Sequence, residues 1–234
     1  MSIEERQREE KEERRRTIVD AAETVLREKG REEMTMADIA EEARLSRSLL
    51  YVYFEDMDDI VLAVTLRGLR SMRKRFEHAV TQHDVGRKKI RAVGDAYVAF
   101  AQEEPTYFDL VAQFESRSAD PEDAPQRVQQ CLAESDRVMG AMTKAIREGI
   151  EDGSIRSELD PTQTAITLWG CTHGLIQLAA NKGRSLEQQY DLAPDALFDD
   201  GLGFLGVALA GETLDGAPDA TGTENPSETM GKGE

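Results

Sequence analysis

The chain has 234 residues and a formal net charge of −17, from 46 acidic against 29 basic side chains, the wrong bulk sign for a non-specific nucleic-acid binder. Its length allows one domain with a large core or two smaller ones. Cys131 and Cys171 lack metal-ligand spacing, and no apolar run approaches the ~20 residues of a membrane span.

From the N-terminus, MSIEERQREEKEERRR is unlike a signal peptide, and reduced cysteines in a cytoplasmic protein are expected. Residues 1–15 form a charged extension. Pairs such as Glu10 with Arg14 and Glu12 with Arg16 support a solvated helix running into the first core helix. Arg14, Arg15 and Arg16 either sit on that solvated face or reach a DNA phosphate backbone or minor groove.

The next stretch, TMADIAEEARLSRSLLYVYF from Thr35 to Phe54, predicts two short helices and a tight turn. Thr35 is an N-cap with Asp38 at N3. Met36, Ile39, Ala40 and Ala43 recur at the spacing of one buried face. Arg44-Leu45 interrupts that pattern, and Ser46 caps a second helix that turns Leu50, Tyr53 and Phe54 inward. Arg47, Ser48 and Tyr51 face outward. A short helix presenting hydroxyls and a guanidinium at its N-terminal end can enter the DNA major groove. Two packed helices also occur in all-α cores that never meet nucleic acid.

Further on, helices are predicted over residues 60–80, from Asp84 to Gln102, and from Pro105 to near Phe114. Glu115 to Pro125 reads as a loop, followed by a long helix to about Gly149 and an Asp152-Gly153 turn. Asp160-Pro161 opens a helix to Asn181 with Gly183 as its stop. The last helix runs from Pro194 to Ala210, and residues 211–234 have little to bury and are expected to be disordered. The fold class is all-α.

Over residues 16–64 the sequence resembles the DNA-binding domain of the TetR family of transcriptional regulators. The resemblance rests on Ile18, Ala21, Ala22, Gly30, Thr35, Asp38-Ile39-Ala40, Ala43, Leu45-Ser46, Leu50-Tyr51, Tyr53-Phe54 and Ile60, in order and without gaps. Two positions depart from the family pattern. Arg44 stands where a turn glycine is usual, and Met57, among Asp56, Asp58 and Asp59, stands where a phosphate-binding lysine is common. Residues 65–210 resemble a ligand-binding and dimerisation domain through Trp169, His173 and Gly174, the W-x-x-x-H-G signature of one subgroup.

The resemblance implies a homodimer joined through its last two helices, binding a double-stranded palindromic DNA operator and answering a small apolar or amphipathic effector, with repression the expected sense. Arg47 is the expected base or phosphate contact, with Ser48 and Leu49 near base edges. Thr35, Met36, Tyr51 and Tyr53 would hold the backbone, and Arg44 and Ser46 complete the interface. Candidate pocket residues are Tyr97, Phe100, Tyr107, Phe108, Phe114, Met139, Met142, Trp169 and His173, which equally describe an ordinary core. Trp169, His173 and Ile176 share one helical stripe.

Enzymatic readings find little support. Gly201, Gly203 and Gly206 spell G-x-G-x-x-G but lie within a predicted helix, without the strand that a dinucleotide site needs. Within that helix Gly203, Gly206 and Ala210, at i, i+3 and i+7, form a small-residue face suited to a dimer contact. His78 and His83 are poorly spaced for a metal. No cofactor or metal is expected. The competing reading is a ligand-binding or interaction protein of the same fold with weak or lost DNA binding, which the acidic start of the fourth helix and the overall charge of −17 favour, residues 1–54 carrying 11 basic against 14 acidic side chains. The excess of 21 Arg over 8 Lys and the abundant carboxylates suit either a high-salt cytoplasm or a plain acidic soluble protein.

Overall fold

A computed structural model describes residues 2–115 and 124–211. Most of the loop and all but the first residue of the tail expected above lie outside the described residues. The fold is all-α, with nine helices and no strand among the described residues. In order these are α1 (Ile3–Glu33), α2 (Met36–Glu42), α3 (Arg47–Tyr53), α4 (Met57–Thr81), α5 (Gly86–Glu103), α6 (Pro105–Glu115), α7 (Gln126–Glu151), α8 (Pro161–Tyr190) and α9 (Pro194–Leu209).

The charged extension and the first core helix are one element, α1, opened by a capping box between Ser2 and Glu5 and broken at Gly30, whose φ is 74°. The expected ion pairs are replaced by neighbours. Arg6 takes Glu10 and Arg16 takes Glu13, since exposed pairs differ by only tenths of a kcal/mol.

Apolar residues sort into two cores. One gathers α1 to the first half of α4, including Ile18, Ala22, Ile39, Leu50, Phe54, Ile60 and Val64, with Leu110 of α6. The other begins at Leu66 and takes in the rest of α4 with α5 to α9. Helix α4 has 25 residues, or ~37 Å at ~1.5 Å per residue, so one rigid element runs through both cores.

Two sequence expectations are corrected. Asp84 does not open α5; the helix starts at Gly86 behind Val85, which supplies no side-chain cap. The first amides are instead satisfied by the turn after α7, Gly86 N–H donating to Asp152 Oδ2 (2.7 Å) and Arg87 N–H to Ser154 Oγ (3.0 Å). A Cβ on Gly86 would lie 2.2 Å from the Gly149 backbone, so this close crossing requires glycine. Likewise α8 runs through Gly183 and stops at Asp191, which has φ 55°. Gly183 is buried, and Pro194 at the start of α9 lies 3.5 Å from where its Cβ would be. Gly183 thus packs inside α8 beside the start of α9 and does not end the helix. The end of α9 is pinned by Arg156 N–H to Leu209 C=O (3.1 Å) and Gly211 N–H to Ser154 C=O (3.1 Å).

Candidate functional site

The Thr35 capping box forms, and Lys29 Nζ also reaches Asp38 at 2.6 Å. Hydrogen bonds from Lys29 and Thr35 hold the Asp38 carboxyl down to about 2. Between the two short helices Arg44 adopts φ 54°, the left-handed backbone that favours glycine. Leu45 N–H still reaches Ala40 C=O at 2.9 Å, closing the turn. Ser46 caps α3 through Leu49 N–H (3.3 Å) and touches the Ser48 hydroxyl at 3.0 Å.

Within α3 only Leu50 is buried, with Phe54 just beyond it. Thr35, Arg44, Ser46, Arg47, Ser48 and Tyr51 are exposed, while Met36, Leu49 and Tyr53 are half-buried. Neither Arg44 nor Arg47 has an ion-pair partner among the described residues. The sequence reading missed Val52, which is 69% exposed. Its spacing of four from Ser48 places both on one outward stripe.

The acids at the start of α4 are occupied. Asp56 caps the Asp59 amide (2.8 Å), Asp58 pairs with Arg31 (2.7 Å), and Asp59 pairs with Arg127 of α7 (2.8 Å). Met57 is half-buried against the first core. The guanidinium groups of Arg127 (5.4 Å) and Arg15 (5.8 Å) both lie over the Phe54 ring. A second bridge between the two cores runs from Tyr107 of α6, whose hydroxyl donates to Glu23 of α1 (2.7 Å), with Arg67 of α4 beside the same carboxylate.

A cavity of about 240 Å³ opens among α4, α5, α7, α8 and α9. Of the expected pocket residues, Tyr97, Met142 and Trp169 line it. Phe100, Phe114 and half-buried Met139 belong to the core around it, and Tyr107 turns toward α1. Phe108 stacks on His173 at 5.4 Å, and His173 Nδ1 meets the Tyr97 hydroxyl at 2.8 Å. His173 is therefore a hydrogen-bonded residue behind the wall, its pKa lowered by burial. Arg87, Lys88 and Thr172 line the cavity and were missed, because no local pattern shows which side of α5 or α8 meets α9. Near Tyr97, burial pushes the Glu115 carboxyl up to about 7, and one of its oxygens is buried without a partner.

Along the outer side of α8 and α9, Ile166, Leu178, Phe204 and Val207 are exposed, and Gly170 and Gly174 face open space. Gly201, Gly203 and Gly206 all lie within α9.

Comparison with known proteins agrees with this geometry. Residues 18–64 match the family described as bacterial regulatory proteins, tetR family, and residues 90–205 match the tetracyclin repressor-like C-terminal domain. The HTH-type transcriptional regulator BetI of Brucella canis is 33% identical over 93 residues, 38% of this chain and 47% of BetI. The chain thus spans about half the length of that curated relative. Among solved structures, a TetR/AcrR-family regulator from Thermobifida fusca superposes with TM-score 0.64 at 20% identity, over 83% of this chain and 97% of its own. The regulator FadR of Bacillus subtilis, solved in complex with stearoyl-CoA, gives TM-score 0.63 at 20% identity, over 82% and 98%. The chain belongs to the tetR family of bacterial regulatory proteins.

Proposed function

We propose that the protein is a homodimeric, effector-responsive repressor that reads a palindromic operator with α3. The observation that carries this is the outward face of α3, where Arg47, Ser48, Tyr51 and Val52 are exposed and Arg47 has no protein partner. Arg47 is assigned to a base or phosphate, Ser48 and Leu49 to base edges, and Thr35, Tyr51 and Tyr53 to the backbone. Residues 16–64 form the DNA-reading head and residues 65–210 the effector-binding and dimerisation domain. The exposed apolar and small residues of α8 and α9 support dimerisation there. The apolar cavity supports an amphipathic effector, as does the stearoyl-CoA held by the FadR neighbour. Because α4 belongs to both cores, an effector preferring one placement of α4 would change the spacing of two heads on DNA.

The competing reading, a ligand-responsive protein that no longer binds DNA, draws support from Met57 and the acids around it, where a phosphate-binding cation would be expected. Selection from a random duplex library with purified protein, at ~0.1 M and ~1 M KCl, separates the two. An enriched palindrome, lost on Arg47→Ala, supports the repressor reading; no enrichment at either salt from folded dimer favours the competing one.

A further inference from the structure

The cavity is chemically one-sided. Ile90, Val93, Met142 and Leu202 are among its apolar walls, while Arg87, Lys88 and Arg91 supply its charge, and no acidic side chain lines it. In a chain with 46 carboxylates, that composition stands out. Arg91 is already matched, to Asp95 at 3.0 Å and Asp199 at 2.9 Å. Arg87 and Lys88 have no ion-pair partner among the described residues. Lys88 is exposed and Arg87 half-buried, which places these cations at the mouth. The backbone under them is fixed, since the Gly86 and Arg87 amides are held by Asp152 and Ser154.

The wall also carries a neutral polar side chain at Thr172. Thr172 is 5% exposed and lines the cavity, yet its hydroxyl makes no hydrogen bond to protein. Thr65, Thr143 and Thr167 each return their hydroxyl to the carbonyl four residues back, at 2.9, 3.0 and 2.9 Å. Unlike Ser135 Oγ, which is buried without a partner, the Thr172 hydroxyl opens onto the cavity it lines, where water or a ligand oxygen can meet it.

We propose that this cavity binds a short-chain anionic amphiphile. The chain fills the apolar interior, the anionic head lies between Arg87 and Lys88, and an oxygen borne on the chain bonds the Thr172 hydroxyl. The assignment rests on the reading of this cavity as the effector site. Its volume of about 240 Å³ lies below the ~300–1,000 Å³ of ordinary small-molecule sites, which selects a chain much shorter than stearoyl. A free carboxylate and a coenzyme A thioester share this head-and-chain chemistry.

The test is calorimetric titration of the intact protein, at low salt, with octanoate, 3-hydroxyoctanoate, 1-octanol, octylamine and octanoyl-coenzyme A. Octanoate or its thioester is expected to bind roughly tenfold tighter than octanol, the scale of one charge-assisted contact, and octylamine most weakly. Whichever of the two binds tighter identifies the head. The Arg87→Gln/Lys88→Gln variant should lose the preference over octanol while still binding octanol. Thr172→Val, nearly isosteric, should erase the gain from the 3-hydroxyl. Octylamine or octanol binding as tightly as octanoate, no binding by any probe, or discrimination that survives both variants would overturn the inference. Operator selection on the same preparation keeps the two readings apart. A palindrome without anion discrimination sinks only this inference, and discrimination without a palindrome sinks the repressor reading and leaves the cavity chemistry standing.

Discussion

Arg127, in the first turn of α7, donates from Nε to Asp59, in the first turn of α4, at 2.8 Å. The same guanidinium lies 5.4 Å from the centre of the Phe54 ring, directly after α3. One side chain of the larger core thus touches both the end of the outward-facing helix and the start of the helix shared by both cores. The two partners are 18% and 20% exposed, so solvent screening weakens the pair less than at the surface.

Replacing Arg127 by Met keeps an apolar stem and removes both contacts. The expected loss is about 1–2 kcal/mol of unfolding free energy, from one charge-assisted bond and one cation–π contact, part of it recovered by the methionine. A double-mutant cycle with Asp59→Asn, read by urea denaturation, should show a coupling of at least about 0.5 kcal/mol. Strictly additive effects would mean that the bridge does not hold the head.

Arg44→Gly tests the strain in the turn. At φ 54° a non-glycine residue carries about 1–2 kcal/mol, while glycine loses roughly 0.5–1 kcal/mol more backbone entropy on folding. A net gain of up to about 1 kcal/mol is expected, seen as a raised urea midpoint at unchanged slope. A destabilised variant would show that Arg44 makes a compensating contact.

Glu115 predicts a pH dependence with a definite sign. Its carboxyl is raised from 4.5 to about 7 by burial, so the folded protein holds a proton that the unfolded chain releases. Stability from this group is complete below about pH 4.5, declines as pH rises to about 7, and is then constant. Glu115→Gln lacks this decline. Its urea midpoint should match that of the parent at pH 4.5 and exceed it at pH 8. A difference that is the same at both pH values would place Glu115 in water.

Phe204 is 76% and Val207 75% exposed on α9. Phe204→Glu puts a charge into the proposed dimer contact without touching either core. Sedimentation velocity should then find a monomer with an unchanged circular dichroism spectrum and much weakened operator binding. A dimer that persists would move the interface off α9.

Much of the site was legible before any coordinates. Thr35 with Asp38, Ser46 with Leu49 N–H, and the inward Leu50 and Phe54 all follow from capping chemistry and helical period, which act within one or two turns. Arg47, Ser48 and Tyr51 follow as the remainder of that face. The strain at Arg44 was also readable, since a helix that must end in the left-handed region there has no glycine to use. Val52 was left unassigned although its spacing of four from Ser48 puts it on the same outward stripe.

The cavity was much less legible. Tyr97, Met142 and Trp169 reached it, but Phe100, Phe114 and Met139 went to the surrounding core and Tyr107 to the bond with Glu23. Aromatic side chains fill any large all-α core, and their order along the chain carries no record of which helices leave a gap. Local sequence determined the helices, their caps, the small outward-facing head and the family, since each depends on contacts a few residues apart. The start of α5 on Asp152 and Ser154, the passage of α8 through Gly183, the Arg127–Asp59 bridge and the basic mouth at Arg87 and Lys88 were decided only by tertiary structure. Each brings together groups that lie far apart in the chain or in different helices, and periodicity has no reach over such distances.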